Sequence, residues 1–572
     1  MPSGFAAQRN LGTIHAKHAR VPAKGRGMRG RDAMSGNKTE LHQAARIGLR
    51  QVDMVQNSRL ATVEMGQVPV DTGLHLTPSI LLNPHEVNSG FMVSDTNFRH
   101  SGEMRLALPG PVEPIVRELR VAGHRAVVVG GAVRDALLNL DAKDIDIEVY
   151  GIAYDRLAAI LSQHGRVDLV GKSFGVVKLH AQGRDYDFAV PRRDSKFGLH
   201  HRDFRAEFDP DITPQEAASR RDFTINAMAW DPIDSQLLDF FNGESDLKAG
   251  LLRATSRAFS EDPLRVLRGM QLAARYDLQL EAETALMCRS IADQYNTLAV
   301  ERVGDEFMKW ATKSSKPGRI AEYLHDSGWD VHFPEIKDLA GTPQDPAWHP
   351  EGDVGVHTML VVNAAAQIAQ REGLEGDARA VLIFAALSHD FAKPKTTMLR
   401  ERDGQLRWSS WNHEPEGGPM AKEFLTRIHI KSSIVDQVVP LVENHLAHST
   451  MAKGAVTPRA VRRLAMRLSP ASIDQLMHLI EADHSGRPPL PPGLPEGASR
   501  IREAAKEQSV TQGPQPPLIL GRHVLPYFEG KPGKHIGEVT TAAYEAQADG
   551  AFSDERSALK WLEEYVRHQL HM

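Results

Sequence analysis

Asp144 and Asp146 are separated by one residue in a stretch that alternates polar and apolar from Asp144 to Val149. In a strand, alternate side chains share a face. The two carboxylates then stand together while Ile145, Ile147 and Val149 turn toward a core. Like charges on one face repel, and a bound divalent cation removes that penalty. Metals held by such a pair stabilise the attacking and the leaving oxygen of a phosphoryl transfer. Asp187, in Asp185-Tyr186-Asp187-Phe188, can add a third carboxylate from a neighbouring strand. A lone Asp-x-Asp is usually a solvated polar face. That explanation weakens here, because the pair closely follows Gly130-Gly131-Ala132-Val133-Arg134-Asp135. Two glycines let the backbone turn tightly and approach a ligand, and the N–H groups of the helix they open, with Arg134 beside them, suit a triphosphate.

Two further runs complete a constellation. The first is Arg220-Arg221-Asp222-Phe223-Thr224-Ile225-Asn226. The second is Glu261-Asp262-Pro263-Leu264-Arg265-Val266-Leu267-Arg268. In the second, Asp262 at the N-cap and Pro263 at the first helical position mark a helix start. Arg265 and Arg268 then follow on one side of that helix. An Asp only accepts hydrogen bonds and an Arg only donates them. Cytosine offers N4–H beside the N3 acceptor, and adenine offers N6–H beside the N1 acceptor. Uracil and guanine present the opposite pattern. One Asp–Arg pair can therefore select C and A and reject U and G without a nucleic-acid template.

Together these runs resemble the class II CCA-adding enzymes (tRNA nucleotidyltransferases) and the related bacterial poly(A) polymerases, over roughly Val127 to Tyr276. The resemblance implies that Gly130, Gly131, Arg134 and Asn226 bind the incoming nucleotide and that Asp144 and Asp146 hold Mg2+. It implies that Arg221 and Asp222 hold the triphosphate and ribose. Asp262 and Arg265 would read the base, with Arg268 supporting them. CTP, ATP and tRNA are the implied partners. One departure is Gln271, where the family often repeats arginine once more. The stretch Leu169 to Val176 lacks the double-basic element of the poly(A) polymerases and looks more like the tRNA enzymes. The basic segment from Arg192 to Asp211 reads as a loop beside the site or as a solvated one.

A second constellation lies in helical sequence: His357, His389-Asp390, His413, His445 and Asp483. A single His on a helix is usually structural. The order His…His-Asp…Asp instead resembles the HD superfamily of metal-dependent phosphohydrolases. The resemblance implies one metal at His357, His389, Asp390 and Asp483, with His413 and His445 completing a second. Imidazole plus carboxylate suits several divalent transition metals. Phosphatase or cyclic-phosphodiesterase activity accompanies such domains in some members. Ala392 stands where the family usually has Gly.

These residues need elements to position them. Glu113 to Val121 reads as an amphipathic helix with Ile115, Val116, Leu119 and Val121 inward. Ala126–Val129, Asp144–Val149, Gly175–His180 and Asp185–Val190 read as strands. Helical periodicity takes over after about residue 213 and persists to the end. The expected architecture is multidomain. Residues 1–103 read as a disordered basic extension, with ten Lys/Arg against two Asp/Glu in the first 50; a transit peptide or an RNA-binding arm are the alternatives. An α/β, polymerase-β-like nucleotidyltransferase head follows at 104–235. Next come an all-α neck and body at 236–340, an HD domain at 341–487, a Pro-rich linker at 488–515 and a small helical tail at 516–572. The net charge of −5 makes any RNA surface a local cluster of Lys and Arg. One cysteine excludes an internal disulfide and Cys-based zinc sites, so metal sites must draw on the 26 His and the carboxylates. No apolar run approaches the ~20 residues of a membrane span, and a cytoplasmic location is expected. The activity expected is CCA addition with pyrophosphate release and a second phosphohydrolase. CC-only, A-only or poly(A) addition, or an HD phosphohydrolase with a binding head, are the alternatives.

Overall fold

A computed structural model of the chain describes residues 104–569, apart from residues 105, 143, 170–174, 197–203, 403, 452–453 and 455. The expected basic extension, the centre of the Leu169–Val176 stretch and part of the Arg192–Asp211 segment thus lie outside the described residues.

Among the described residues, the head is built on nine strands: β1 (Arg125–Val129), β2 (Asp146–Tyr150), β3 (Arg166–Asp168), β4 (Val176–Ala181), β5 (Arg184–Ala189), β6 (Arg192–Lys196), β7 (Phe204–Phe208), β8 (Ala229–Asp231) and β9 (Gln236–Leu238). Seven form one sheet in the order β3-β4-β5-β2-β1-β8-β9, while β6 and β7 pair only with each other. Parallel pairing is confined to β2 with β5; the other neighbours in this sheet are antiparallel. The helix Val112–Val121 covers the sheet with Ile115, Val116 and Leu119, which are buried with Ile147, Leu179 and Phe188. Val121, expected inward, is 90% exposed. At 3.6 residues per turn it lies about 200° around the helix from Leu119, which turns it to solvent.

Helices dominate after residue 213, with exceptions that correct the expectation. Strands β8 and β9 carry the head sheet to Leu238, past the expected boundary at 235. A hairpin, Thr397–Arg402 paired with Gln405–Ser410, interrupts the HD domain. Its signal in the sequence is the dipeptide Asp403-Gly404, a favoured hairpin turn pair, ahead of the alternating run Gln405-Leu406-Arg407-Trp408. Inside the expected linker, Glu496–Glu507 forms a helix that buries Ala498, Ile501 and Ala505 in the main core.

That core runs without a break from the head through the body into the HD domain. In the body, the helix Leu264–Tyr276 packs on Val300–Lys313 and Arg319–Ser327. In the HD domain, Gly376–Ser388 is buried from Ala380 to Ser388, as befits a helix apolar on all sides. It is the central helix, in contact with Val354–Arg371, Ser432–Glu443 and Ile473–Ser485. The tail has a separate small core of Ile519, Val524, Phe552 and Leu562. Arg459 and Arg463 tie the tail to the HD domain through Asp549. No helix of the described residues is long and apolar enough to cross a membrane.

Head and body pack tightly at Gly269, on the helix Leu264–Tyr276. A Cβ there would stand 2.8 Å from Phe223 Cζ and against the Tyr323 hydroxyl. In an exposed helix Gly→Ala stabilises by about 1 kcal/mol. Here overpacking wins: Gly269→Ala is expected to cost ~1–3 kcal/mol, read as a lower midpoint in chemical denaturation. An unchanged or raised midpoint would show that the two elements are not in tight contact.

Candidate active sites

The head site lies where β1 ends. Gly130 follows the strand with φ 74° and ψ −130°, a backbone region open to glycine and costly for other residues. The short helix Gly131–Leu137 starts directly after it. A Cβ on Gly130 would also stand 3.1 Å from Arg221 Nη1, so the turn brings that guanidinium against the strand end. Asp146, the first residue of β2, is opposite Val129 on one side and in register with Asp187 of β5 on the other. Asp144 lies two residues ahead of the strand and is exposed. Asp146 is solvent-exposed at the strand start, yet desolvation by the surrounding protein, then the charges of Asp187 and Asp144, raise its carboxyl above the ordinary range against the pull of Arg221 and Lys178. Three carboxylates, Asp144, Asp146 and Asp187, stand there against Arg221 and Lys178, which fits a divalent ion. Lys178 Nζ stands 2.9 Å from Asp187 Oδ1 and supplies one positive charge there. Among the described residues, the three carboxylates do not close to within 4.8 Å of one another as the HD ligands do.

A cleft of about 440 Å³ opens beside this point. Gly130, Gly131, Arg134, Asp146, Arg221, Asp222, Asn226, Asp262, Arg265 and Arg268 all line it. Of the expected head residues only Asp144 and Asp187 are outside its lining. Asp222 is buried and accepts from Phe223 N–H at 2.8 Å, Asn226 Nδ2 at 3.1 Å and Arg268 Nε at 2.9 Å. Burial alone would raise its carboxyl; Arg268, Asn226 and Phe223 together hold it below the ordinary carboxylate range. Arg134 reaches the cleft wall with its donors engaged by Asp135, Asn226 and the Tyr276 hydroxyl, and its guanidinium lies 4.3 Å from the Tyr276 ring centre. Its part here is to brace the wall. Further cations, Arg275, Lys309 and Lys313, line the cleft from the body and were not singled out in the sequence; Arg275 faces Asp135 at 3.6 Å and Lys309 faces Glu306 at 2.8 Å.

Asp262 caps its helix as expected. Its Oδ1 accepts the Leu264 N–H at 3.1 Å, and Pro263 already has helical angles. Arg302 lies 3.8 Å from the other oxygen. Arg265 donates from Nη1 to the Ala258 carbonyl and from Nη2 to the Arg220 carbonyl, both at 2.8 Å. These two bonds fix the plane of the guanidinium and leave three of its five N–H groups. Gln271, in place of the repeated arginine, is buried and lines the same cleft.

The HD site is more closed. His389 and Asp390 end the central helix, His357 lies in Val354–Arg371 and Asp483 in Ile473–Ser485. His413 opens the helix after the hairpin, and His445 follows Ser432–Glu443. Three imidazoles are tethered alike. Nδ1 of His389 meets the Ala386 carbonyl at 2.8 Å, that of His445 the Val442 carbonyl at 2.7 Å, and that of His413 the Ser410 carbonyl at 2.6 Å. A carbonyl can only accept, so each Nδ1 carries the proton and each Nε2 presents a lone pair. Those Nε2 atoms converge on Asp390: His389 at 3.1 Å, His413 at 3.5 Å. His413 and His445 face each other Nε2 to Nε2 at 3.2 Å. His357 turns Nδ1 to Glu351 at 2.8 Å and Nε2 to Asp483 at 3.2 Å. Nε2 of His357 and of His389 are buried without a properly formed hydrogen bond, a costly state that a cation between rings and carboxylates would relieve.

Among the described residues, three groups could each hold a metal, His349/Glu351/His357, His357/His389/Asp390 and Asp390/His413/His445, linked through His357 and Asp390; Asp483, expected as a ligand, is in none of them and instead meets His357 Nε2. Burial, then repulsion from His413 and His389, pushes His445 down to about 3, so its ring is neutral as a ligand must be. Burial would raise Asp390, but the neighbouring His389 and Lys393 hold it well below the ordinary range. Lys393 Nζ is 2.8 Å from Asp390 Oδ2. Ala392 has ordinary helical angles, φ −88° and ψ −9°, so the turn accepts Ala where the family usually has Gly. Glu351 and Lys393 were missed by the sequence reading. A Glu six residues ahead of a His, or a Lys three behind an Asp, has no pattern of its own.

Residues 126–253 match the poly A polymerase head domain and residues 354–480 the HD domain. A multifunctional CCA protein of Xanthomonas axonopodis pv. citri is 34% identical over 427 residues, 73% of this chain and 96% of that protein. One from Actinobacillus pleuropneumoniae serotype 5b is 35% identical over 370 residues, 63% of this chain and 85% of that protein. The chain belongs to the multifunctional CCA protein family. In fold it is similar to the Bacillus stearothermophilus CCA-adding enzyme solved with CTP, at a TM-score of 0.53 and 18% identity, over 81% of this chain and 100% of that one. An apo CCA-adding enzyme gives 0.51 and 21%, over 80% and 96%. The resemblance drawn from the head motifs and the HD order holds, as does the fold class. The chain is a nucleotidyltransferase of that family with an HD domain behind its head.

Glu351 carries a prediction. Burial would raise it, but His349 and His357 bring it down to about 2, so it stays ionised and fixes the His357 ring. Such outer partners are worth roughly 10–100-fold in metal affinity. Glu351→Ala should weaken Co2+ binding to the HD domain by that factor, followed by visible absorption, with Glu351→Gln losing less. Equal affinity in all three proteins would remove Glu351 from the site.

Proposed function

We propose that the chain adds C, C and A to the 3′ end of tRNA from CTP and ATP and releases pyrophosphate, and that its HD site is a metal-dependent phosphohydrolase. The observation that carries the first half is the single cleft where Asp146, the Asp262–Arg265 pair and a wall of Arg and Lys side chains meet. The reaction is attack of the terminal 3′-hydroxyl on the α-phosphate. Mg2+ held by Asp144 and Asp146 would neutralise charge on the attacking and leaving oxygens. Arg221, with Lys309 and Lys313, faces the triphosphate. Asp262 Oδ2 accepts the exocyclic N–H of cytosine or adenine, and Arg265 donates to the adjacent ring nitrogen. Positioning and charge compensation carry the catalysis. Because the pair reads the base directly, no template strand is required. A cytoplasmic location accords with this role.

The second half rests on the tethered imidazoles. Neutral Nε2 donors with shared Asp390 suit a divalent transition metal, which would polarise a phosphate ester and lower the pKa of bound water. Lys393 and Arg487 line the cavity above and face the anionic substrate.

The test is incubation of tRNA lacking its 3′ CCA with labelled CTP and ATP, followed by sequencing of the product end. Ends in CCA support full addition; ends in CC, in a single A or in oligo(A) would identify the narrower family reactions. The sites should fail independently. Asp146→Ala is expected to abolish addition and spare metal-dependent hydrolysis of a 2′,3′-cyclic phosphate. His389→Ala with Asp390→Ala should do the reverse, with melting temperatures measured alongside. A well-folded His389/Asp390 variant that no longer adds nucleotides would mean one coupled centre. Base choice gives a separate measurement. Asp262→Ala removes the acceptor that rejects the wrong bases, and a site of this kind discriminates by about 10⁴ or more. The variant should therefore incorporate UMP and GMP. If it is slower but still strictly selects C and A, the Asp–Arg pair does not read the base.

A further inference from the structure

Seven tryptophans occur in the chain, and three of them, Trp348, Trp408 and Trp411, line the cavity over the HD ligands. Trp230, Trp310 and Trp329 are buried in cores, as is usual for so large an apolar side chain. The three at the cavity are not: Trp411 is 66% exposed, Trp348 60% and Trp408 37%. Leaving such surface in water forgoes the stabilisation of burying it, so a cluster of this kind around a buried polar site calls for an occupant.

The tryptophans are held in fixed relation to the ligands. Trp408 and Trp411 belong to the end of the hairpin, and the Ser410 carbonyl between them accepts from His413 Nδ1 at 2.6 Å. The turn that orients a ligand imidazole thus also places the two rings. Arg400 lies 4.5 Å from the Trp411 ring centre and backs one side of it. Trp348 stands on a turn at Asp345, whose carbonyl and carboxylate accept the Trp348 and Ala347 N–H groups, both at 3.0 Å. Arg407 of the hairpin is 3.5 Å from the same Asp345 carboxylate, which joins the two tryptophan-bearing segments. The same cavity carries two cations among its carboxylates: Lys393 lies beside Asp390, and Arg487 has its Nε buried without a hydrogen-bond partner.

We infer that Trp348, Trp408 and Trp411 are a base-stacking platform that holds the nucleoside end of the phosphoester at the HD site, the phosphate lying between the metal ligands and Arg487. The inference rests on the phosphohydrolase reading of that site and adds the tryptophans as its specificity determinants. The chemistry fits: aromatic rings stack on any base because every base has a π face, and the contact is indifferent to base identity. The metal ligands and Arg487 take the phosphate, and the aromatic rings take what is attached to it.

The experiment compares two substrates that differ only in the base, using the full chain loaded with Mn2+. They are adenosine 2′,3′-cyclic phosphate and the 2,3-cyclic phosphate of 1-O-methylribose. Stacking on one or two rings corresponds to about 5- to 100-fold, so kcat/KM should favour the nucleoside by that factor, through KM. Trp348→Ala and Trp411→Ala should each pull the ratio toward one by raising KM for the nucleoside, and Trp411→Phe should restore it. All three positions are exposed, so folding should survive; melting temperatures check this. The same pair compared as 2-monophosphates by calorimetry gives a readout that needs no turnover. Equal affinity and equal kcat/KM for the two sugars would overturn the platform while leaving the hydrolase reading in place. Tighter binding of the nucleoside that Trp411→Ala abolishes, without hydrolysis of either ester, would support the platform and sink the hydrolase reading. A short oligoribonucleotide ending in the cyclic phosphate, run beside the mononucleotide, tells an RNA terminus from a free nucleotide as the better source.

Discussion

The buried carboxylate of Asp222 is the joint on which the head site depends. It belongs to the head by sequence, yet its strongest partner, Arg268, lies on the helix Leu264–Tyr276 of the body, with contacts at 2.9 and 2.8 Å. Two more bridges run from the same helix. Arg265 donates to the Arg220 carbonyl, and the Tyr276 hydroxyl donates to Asp135. Breaking a buried ion pair from one side strands the other charge and costs about 3–5 kcal/mol, though the part-exposed guanidinium of Arg268 lowers that figure here. The helix proposed to read the base is held in this way against Arg220, Asp222 and Asp135 of the head. Under the proposed mechanism, selection by one Asp and one Arg would have no duplex to correct it, so donor and acceptor would need to stand already where the base edge will be.

Much of this was legible in the sequence, and for identifiable reasons. The period of two around Asp146 exposed the strand. Asp262-Pro263 exposed the helix start through its cap. The order His357, His389-Asp390, Asp483 exposed the second site. What stayed hidden was whatever depends on contacts between distant elements. Tyr276 bracing Arg134 across 142 positions has no local signature. Nor has Glu351, which acts only because the fold turns the His357 ring toward it. Other misses were local cues overridden or overlooked. Val121 is apolar but off the helix stripe. The Asp403-Gly404 hairpin was masked by the helical periodicity around it. Glu496–Glu507 was obscured by the prolines on its N-terminal side, although Pro495 serves as its N-cap and its apolar residues recur at helical spacing.

The two sites solve the problem of holding a cation in different ways. In the HD domain, backbone carbonyls fix three tautomers, and the ligand atoms gather within 4.8 Å inside a buried shell. That arrangement is assembled by the core itself: the central helix Gly376–Ser388 is buried from Ala380 onward and delivers His389 and Asp390 at its end. In the head, Asp144 lies open ahead of β2, and Lys178 stands beside Asp187 as a cation already present. Preassembled nitrogen donors suit a resident transition metal. Open carboxylates beside a cationic cleft suit a hard cation that keeps much of its water and shares its ligands with a triphosphate.

This difference bears on how one chain carries both centres. Metal ligands built into a core couple metal binding to folding, so the HD site belongs to the stability of the continuous core that also supports the helix Leu264–Tyr276. The dependence runs in one direction. Loss of a head carboxylate removes an exposed charge from a strand end and leaves the core untouched. Loss of an HD ligand leaves a buried ring or carboxylate without its partner, and the strain is passed to Gly376–Ser388 and the helices packed on it. From there the body helix Val300–Lys313 is the next neighbour of Gly376–Ser388 and the support on which Leu264–Tyr276 rests. The residues proposed for the two centres are disjoint, while their mechanical support is common.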